Sequence, residues 1–279
     1  MLCCIVFLPA RAQYIRHEST HNGTGLAENV AGTLGKEPTH FFTSRRTTSA
    51  PLSERVPGRR DRLNKPPSAN TTAITSTVHE YWDIGFQVWV VNWRDTITYD
   101  EHGNEIWFLM QTRGGGGWVN SYQYNYTYDG NNNLTGALRQ NWNGSAWVNN
   151  LQYTYTYDGN GNQTLELYQM WSGSAWVNNY QYISTYDGNG NLTVDLYQTW
   201  ESNAWVNAGL YSFTYDVNGV LLEEIDQNWN DSTWVNYVKL TGGYDGNGNL
   251  TSLVIRAWNG STWAYAGQYN LVYDANENL

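Results

Sequence analysis

The chain predicts an all-β fold: tandem β-hairpins of 29 residues, laid out as a long antiparallel meander in one sheet that coils or closes on itself. Three observations predict it. The Tyr-Asp pair at Tyr99-Asp100 returns every 29 residues, at 128, 157, 186, 215, 244 and 273, without an insertion. The same ruler aligns Trp89, Trp118, Trp147, Trp176, Trp205, Trp234 and Trp263 in one column and Trp142, Trp171, Trp200, Trp229 and Trp258 in another. Between these marks, Tyr153-Thr154-Tyr155-Thr156-Tyr157 and Leu192-Thr193-Val194-Asp195-Leu196 alternate with the period of two that a half-buried strand requires, and no helical period interrupts them.

Three regions follow in chain order. Residues 1–12 form an apolar run ending Ala10-Arg11-Ala12 and read as a truncated secretory signal, with a short unstructured apolar start as the alternative. Cys3 and Cys4 lie inside it, so a processed chain would carry no thiol. Residues 13–70 are rich in Ser, Thr, Arg, Gly and Pro and lack periodicity, which predicts a disordered linker. Residues 71–279 carry the repeat, expected to be a C-terminally truncated part of a longer array. The leader through Asn70 has ten Lys/Arg against five Asp/Glu, whereas the array has five against twenty, a net charge of 5 − 20 = −15. Such an array repels a phosphate backbone, which excludes nucleic acid as a partner. The apolar start is too short for a membrane-spanning helix, so no membrane span is expected.

Within a repeat, two turns alternate. One is of the Trp142-Asn143-Gly144-Ser145-Ala146-Trp147 type and the other of the Tyr157-Asp158-Gly159-Asn160-Gly161-Asn162 type, both rich in residues that supply positive φ and side-chain-to-backbone bonds. About fourteen strands result. A four-residue loop Asn143–Ala146 sets Trp142 opposite Trp147, Gln140 opposite Asn149 and Leu138 opposite Leu151, and in the next repeat Trp171 opposite Trp176, Gln169 opposite Asn178 and Leu167 opposite Tyr180. That register puts Trp, Tyr and Leu on one face and Thr154, Thr156, Glu166, Thr193, Asp195 and Thr199 on the other. A bare edge at the end of the array would invite edge-to-edge self-association.

The motifs Tyr157-Asp158-Gly159-Asn160-Gly161-Asn162, Tyr186 to Thr193 and Tyr244 to Thr251 resemble the YD motif of rearrangement-hotspot (YD-repeat) proteins, over about eight residues of each repeat. The resemblance implies a secreted or surface-exposed bacterial protein whose repeats build a coiling sheet, in that family able to wall off a toxin domain. The Trp-Asn-Gly-Ser-x-Trp-Val-Asn hairpin makes this unit longer than the usual YD repeat, and the whole unit looks more like Trp-rich YD-like arrays of large secreted bacterial proteins.

Candidate sites are repetitive rather than unique. The Trp columns, chiefly Trp142, Trp147, Trp171, Trp176, Trp200 and Trp205, could stack on sugar rings or be core; they share the parity of the Leu and Tyr residues, which favours core. Tyr168 and Tyr197 fall on the polar face, better placed to meet a ligand. Gln111, Gln140, Gln169, Gln198 and Gln227 face Asn120, Asn149, Asn178, Asn207 and Asn236, which predicts an amide ladder. The Asp158 and Asp187 loops read as turns closed by Asx bonds, with a weak calcium site as the alternative; no cofactor and no metal are otherwise expected. The carboxylates recur from repeat to repeat and all five His lie at or before residue 102, so no catalytic constellation is singled out and an enzyme is not expected. The functional expectation is a secreted or cell-surface array serving as adhesin, stalk or polyvalent binder, toward polysaccharide or cell-surface glycans. The alternatives are a shell segment of a rearrangement-hotspot toxin and an outer-membrane β-barrel.

Overall fold

The computed structural model of the protein describes residues 60–61, 73–83 and 88–273. The expected signal at 1–12 and most of the expected linker at 13–70 lie outside the described residues. All described regular structure is β. The chain divides into two compact units, Ala50–Gln181 and Tyr182–Leu279 with Met1–Ser49, and the border falls inside one strand.

The first unit holds β1 (Arg60–Asp61), β2 (Ala73–Asp83), β3 (Val88–Tyr99), β4 (Glu105–Gly114), β5 (Gly117–Tyr128), β6 (Leu134–Trp142), β7 (Trp147–Tyr157), β8 (Gln163–Trp171) and the start of β9 (Trp176–Tyr186). The second holds the end of β9, β10 (Leu192–Glu201), β11 (Ala204–Tyr215), β12 (Leu221–Trp229), β13 (Trp234–Tyr244), β14 (Leu250–Trp258) and β15 (Trp263–Asn270). Strand order is chain order and every pairing is antiparallel, so the expected meander of hairpins is what the chain forms. The sheet is open: β1 and β15 end it and do not pair. The closed form of the sheet is therefore not what the described residues build, since β1 and β15 stand at its two ends.

The two turns form as the residues dictate. In the Tyr-Asp turn, Asp158 N donates to Asn162 O at 2.9 Å and Gly161 N to Asp158 O at 3.0 Å, with Gly161 at φ 78°. In the Trp turn, Asn143 Oδ1 accepts from Ser145 N at 3.0 Å and Ala146 N at 2.9 Å, and the four-residue loop brings Trp142 opposite Trp147 and Gln140 opposite Asn149.

Beyond Asn149 the register departs from expectation. Arg139 pairs with Leu151 and Leu138 with Gln152, so Asn150 is an extra residue, and the expected Leu138–Leu151 pair does not form. The same extra residue occurs at Asn92, Ser121, Ala208, Tyr237 and Ala266. A second one follows the Tyr-Asp turns at 99, 128, 157, 215 and 244: Thr156, for example, pairs with Leu165 and Tyr157 with Gln163, leaving Thr164 over. Each bulge exchanges which residues of a strand face which side.

The exchange redistributes the two faces. Leu151, Tyr153, Tyr155 and Tyr157 lie with Arg139, Ala137, Glu166 and Tyr168, while Trp142, Trp147, Gln140 and Asn149 lie with Gln152, Thr154 and Thr156. The core belongs to the first set. In the second unit it is Phe213, Leu221, Val238, Leu240, Leu250 and Leu253, with Leu240 fully buried. In the first unit it is Tyr126, Leu134 and Ala137, with Phe108, Tyr124, Tyr128, Tyr153 and Tyr155 packed around them. The expected polar face therefore splits: Thr154 and Thr156 share the Trp side, whereas Glu166 pairs with Tyr155 and Asp195 is buried.

Candidate functional site: a tryptophan and amide face

The side of the sheet opposite the core repeats one pattern. At each Trp turn two indoles meet edge to face: Trp142 and Trp147 have centroids 5.2 Å apart at 65°, Trp171 and Trp176 5.1 Å, Trp200 and Trp205 4.9 Å. Trp229–Trp234 and Trp258–Trp263 repeat it at 5.0 and 5.1 Å. Such pairing adds about 0.5–1.5 kcal/mol beyond area burial. All ten rings are half-buried rather than enclosed. The expectation that these columns share the face of the buried Leu and Tyr is thus corrected: the bulge at Asn150 intervenes between Trp147 and Leu151 and separates their faces.

Two residues inward from four of the five Trp pairs, and from the Arg113–Trp118 pair, runs the predicted amide ladder. Gln111, Gln140, Gln169, Gln198 and Gln227 donate Nε2 to Oδ1 of Asn120, Asn149, Asn178, Asn207 and Asn236 at 2.7–2.9 Å. The structure adds a further column that the sequence alone does not single out. Gln123 donates to Gln140 Oε1 at 2.7 Å and Gln152 to Gln169 Oε1 at 2.6 Å, so the rungs join across neighbouring hairpins. Trp107 Nε1 donates to Gln123 Oε1 at 3.1 Å and Arg94 Nε to Gln111 Oε1 at 2.7 Å. An amide's two ends let each rung donate and accept at once, which satisfies polar groups that would otherwise be half-buried without partners.

The array's cations gather on rings. Arg94 Cζ stands 4.8 Å and Arg113 Cζ 5.6 Å from the centroid of Trp118, Lys239 Nζ 5.4 Å from that of Trp263, and Arg139 Cζ 4.4 Å from that of Tyr122. Lys239 also pairs with Glu223 at 2.9 Å.

Tyr168 and Tyr197 are placed differently from expectation. Tyr168 lies 5.0 Å from Tyr153 and 4.8 Å from Tyr180, and Tyr197 lies 4.9 Å from Tyr182, so both are packed into the tyrosine rows of the core side. The bulge again accounts for the change, since it moves the Tyr column of the second strand over to their face.

The Tyr-Asp turns are internally saturated. Asp158 Oδ1 accepts from Asn160 N at 2.9 Å and Asn162 N at 2.8 Å, and its Oδ2 accepts from Asn162 Nδ2 at 2.9 Å. Asp187 and Asp245 do the same. The side-chain and backbone bonds from Asn133 and Asn191 hold the exposed Asp129 and Asp187 carboxyls below their ordinary range. The turn tyrosine ties neighbouring repeats together. Tyr128 and Tyr157 donate their hydroxyls at 2.8 Å to the carbonyls of Glu105 and Leu134, each 23 residues earlier, bolting one repeat to the one before.

The core side holds carboxyls as well. Glu224 is fully buried, with the Asp226 carboxyl as its polar neighbour; burial and Asp226 push its carboxyl well above the usual range. Burial pushes Asp226 up to about 6 and Asp195 up to about 6, the latter held by Ser184 Oγ at 2.8 Å. Burial and the charge of Asp95 push Glu105 up to about 7. Among the described residues no group of three or more His, Cys, Asp or Glu is placed to hold a metal ion.

No family model matches the chain, and no curated protein matches it. Several solved structures are similar at low levels. A protein of unknown function from Bacteroides fragilis is 15% identical, with a TM-score of 0.38 over 43% of this chain and 91% of that one. A porin-like protein from Bacteroides uniformis is 11% identical, with a TM-score of 0.32 over 76% and 94%. TcdB2-TccC3-TEV is 14% identical, with a TM-score of 0.37 over 73% of this chain and 11% of that one. At these scores the likenesses assign neither family nor function.

Proposed function

We propose that the protein is a non-catalytic, secreted or cell-surface repeat array whose Trp and amide face binds polysaccharide polyvalently, as an adhesin or a binding stalk. One observation carries the reading: the same half-buried Trp pair recurs at two Trp turns of the first unit and three of the second, on the side of the strands that the core does not use. Indole faces are flat apolar surfaces that suit the C–H face of a pyranose, and a row of them adds weak contacts into a useful avidity. Core packing does not call for this uniformity. The Tyr-Asp turns and the amide rungs serve the scaffold, since each already has its bonds within the chain.

Titration with soluble polysaccharides, read by tryptophan emission, tests the reading. Saturable quenching or a blue shift that disappears when Trp147, Trp176 and Trp205 are replaced by Ala is the expected result. Emission unchanged across neutral, acidic and basic polymers would contradict it.

A further inference from the structure

We propose that the polysaccharide taken by this face is a cationic one: a linear β-linked polymer of amino sugars bearing free ammonium groups. The proposal rests on the reading of the Trp face as a glycan surface and adds the charge of the ligand.

Charge is the first support. The array carries five basic residues against twenty acidic ones. Three of those five, Arg94, Arg113 and Lys239, stand over Trp rings of this face. An indole face attracts a cation through its quadrupole, and an acidic surrounding concentrates cations near it.

Position is the second. Arg94 precedes Trp118 by 24 residues, and Lys239 precedes Trp263 by the same 24, so both cations occupy one place in the repeat. In the four repeats between them that place holds Gln123, Gln152, Gln181 and Leu210, set before Trp147, Trp176, Trp205 and Trp234. The chain itself thus shows a cation seated on the Trp column at two rungs, and its own residues bring no cation to that place at the other four. Lys239 reaches its ring while Trp258 and Trp263 keep their edge-to-face contact, so the seat and the Trp pair are compatible.

Spacing selects a sugar polymer over an isolated amine. Two strands advance about 9.6 Å across a sheet, close to the length of two pyranose residues in an extended β-linked chain, so successive Trp pairs within one unit meet successive disaccharides. Two indoles set at 62–69° also offer a wider footprint than one ammonium group fills.

The test compares four probes against the full chain: partly deacetylated β-1,4-glucosamine polymer, the same polymer re-acetylated on nitrogen, a neutral β-glucan and polylysine. The expected result is tight binding of the aminated polymer, weakened roughly tenfold or more by N-acetylation and by raised salt. Equal binding of acetylated and aminated polymer would overturn the inference and leave the glycan reading standing. Binding of polylysine alone would overturn both, as would binding of none of the four. The ring-specific part is tested by Leu210→Lys, which seats one of the chain's own ammonium groups before Trp234 without breaking an amide rung. That variant should lose about threefold in affinity for the aminated polymer, whereas Asn218→Lys, the same charge on an exposed turn, should change it by less than about 1.5-fold. Equal losses would show that only net charge matters. Lys239→Gln, which vacates the Trp263 seat in an otherwise intact fold, should tighten binding about twofold, and weaker binding would contradict the seat.

Discussion

The two sides of the sheet obey different rules. On the Trp side two columns repeat without change, Trp147, Trp176, Trp205 and Trp234 and the Gln–Asn rungs that back them, although a third place runs Arg94, Gln123, Gln152, Gln181, Leu210 and Lys239. On the core side one place is occupied in turn by Phe108, Ala137, Glu166, Asp195, Glu224 and Leu253. The difference lies in what each side demands. A core position needs only to fill volume beside whatever its neighbours are, and Leu, Tyr and protonated acids solve that locally. A ladder needs identical partners, because each amide donates to the next and a missing rung breaks two bonds.

The contrast is sharpest where the core side is most tightly filled. Leu240→Ala removes a fully buried side chain and should cost about 2–5 kcal/mol, read as a lower unfolding midpoint in urea. Glu224→Leu should do the opposite. It replaces a buried carboxyl, crowded by the like-charged Asp226, by the residue type that the next repeat holds at Leu253, and should stabilise by roughly 1–3 kcal/mol; destabilisation would mean that the bond to Asp226 outweighs the cost of burial.

Acidity follows from the same side. Glu105, Asp195, Asp226 and Glu224 all titrate higher in the folded chain than the ordinary 3.8 to 4.5, so the fold binds more protons than the unfolded chain between about 4 and 7. Their contribution to stability is complete below about 4 and is lost as pH rises through 6 to 7. The turn carboxyls Asp129, Asp187, Asp216 and Asp245 shift downward, so their contribution is present above about 4 and lost in stronger acid. Thermal unfolding should therefore peak near pH 4 and fall steadily toward pH 8. Glu224→Leu combined with Asp226→Asn should shrink that fall, leaving the part that Glu105 and Asp195 contribute.

On the Trp side the effects are smaller. Trp147→Ala should cost about 1–2 kcal/mol, through loss of one edge-to-face pair and half-buried area, and Asn149→Ala about 0.5–1.5 kcal/mol through one rung. If either matched Leu240→Ala, the Trp face would be a second core rather than a surface.

The contrast also separates what the sequence makes legible from what it hides. The period, the hairpins, the Trp142–Trp147 and Gln140–Asn149 pairings and the Asx-closed turn at Asp158 are local, and each is written in residues a few places apart. The bulges are not. Asn149-Asn150-Leu151 reads as ordinary strand, and nothing in its side chains marks Asn150 as the residue left unpaired. An error of one place there carries Trp147 to the wrong face and Tyr168 with it. A signal does exist: β6 has nine residues and β7 eleven, so the longer strand cannot pair residue for residue with its neighbour. The buried carboxyls are equally hidden, because Glu166, Asp195 and Glu224 alternate as solvent-facing residues would until the bulge turns them inward. The Tyr157 hydroxyl bond to Leu134 spans 23 residues and emerges only once the repeats are stacked.

The bulge at Asn150 underlies the whole distinction between the faces, and cross-strand disulfides test it directly. In a chain with Cys3 and Cys4 replaced by Ser, Leu138→Cys with Gln152→Cys should oxidise readily, since those residues face each other on the Trp side and paired strands hold Cα atoms about 4.5–5.5 Å apart. Leu138→Cys with Leu151→Cys should stay reduced, its side chains on opposite faces. Oxidation of the second pair and not the first would mean that the strands pair without the bulge, and that Trp147 and Leu151 share one face after all.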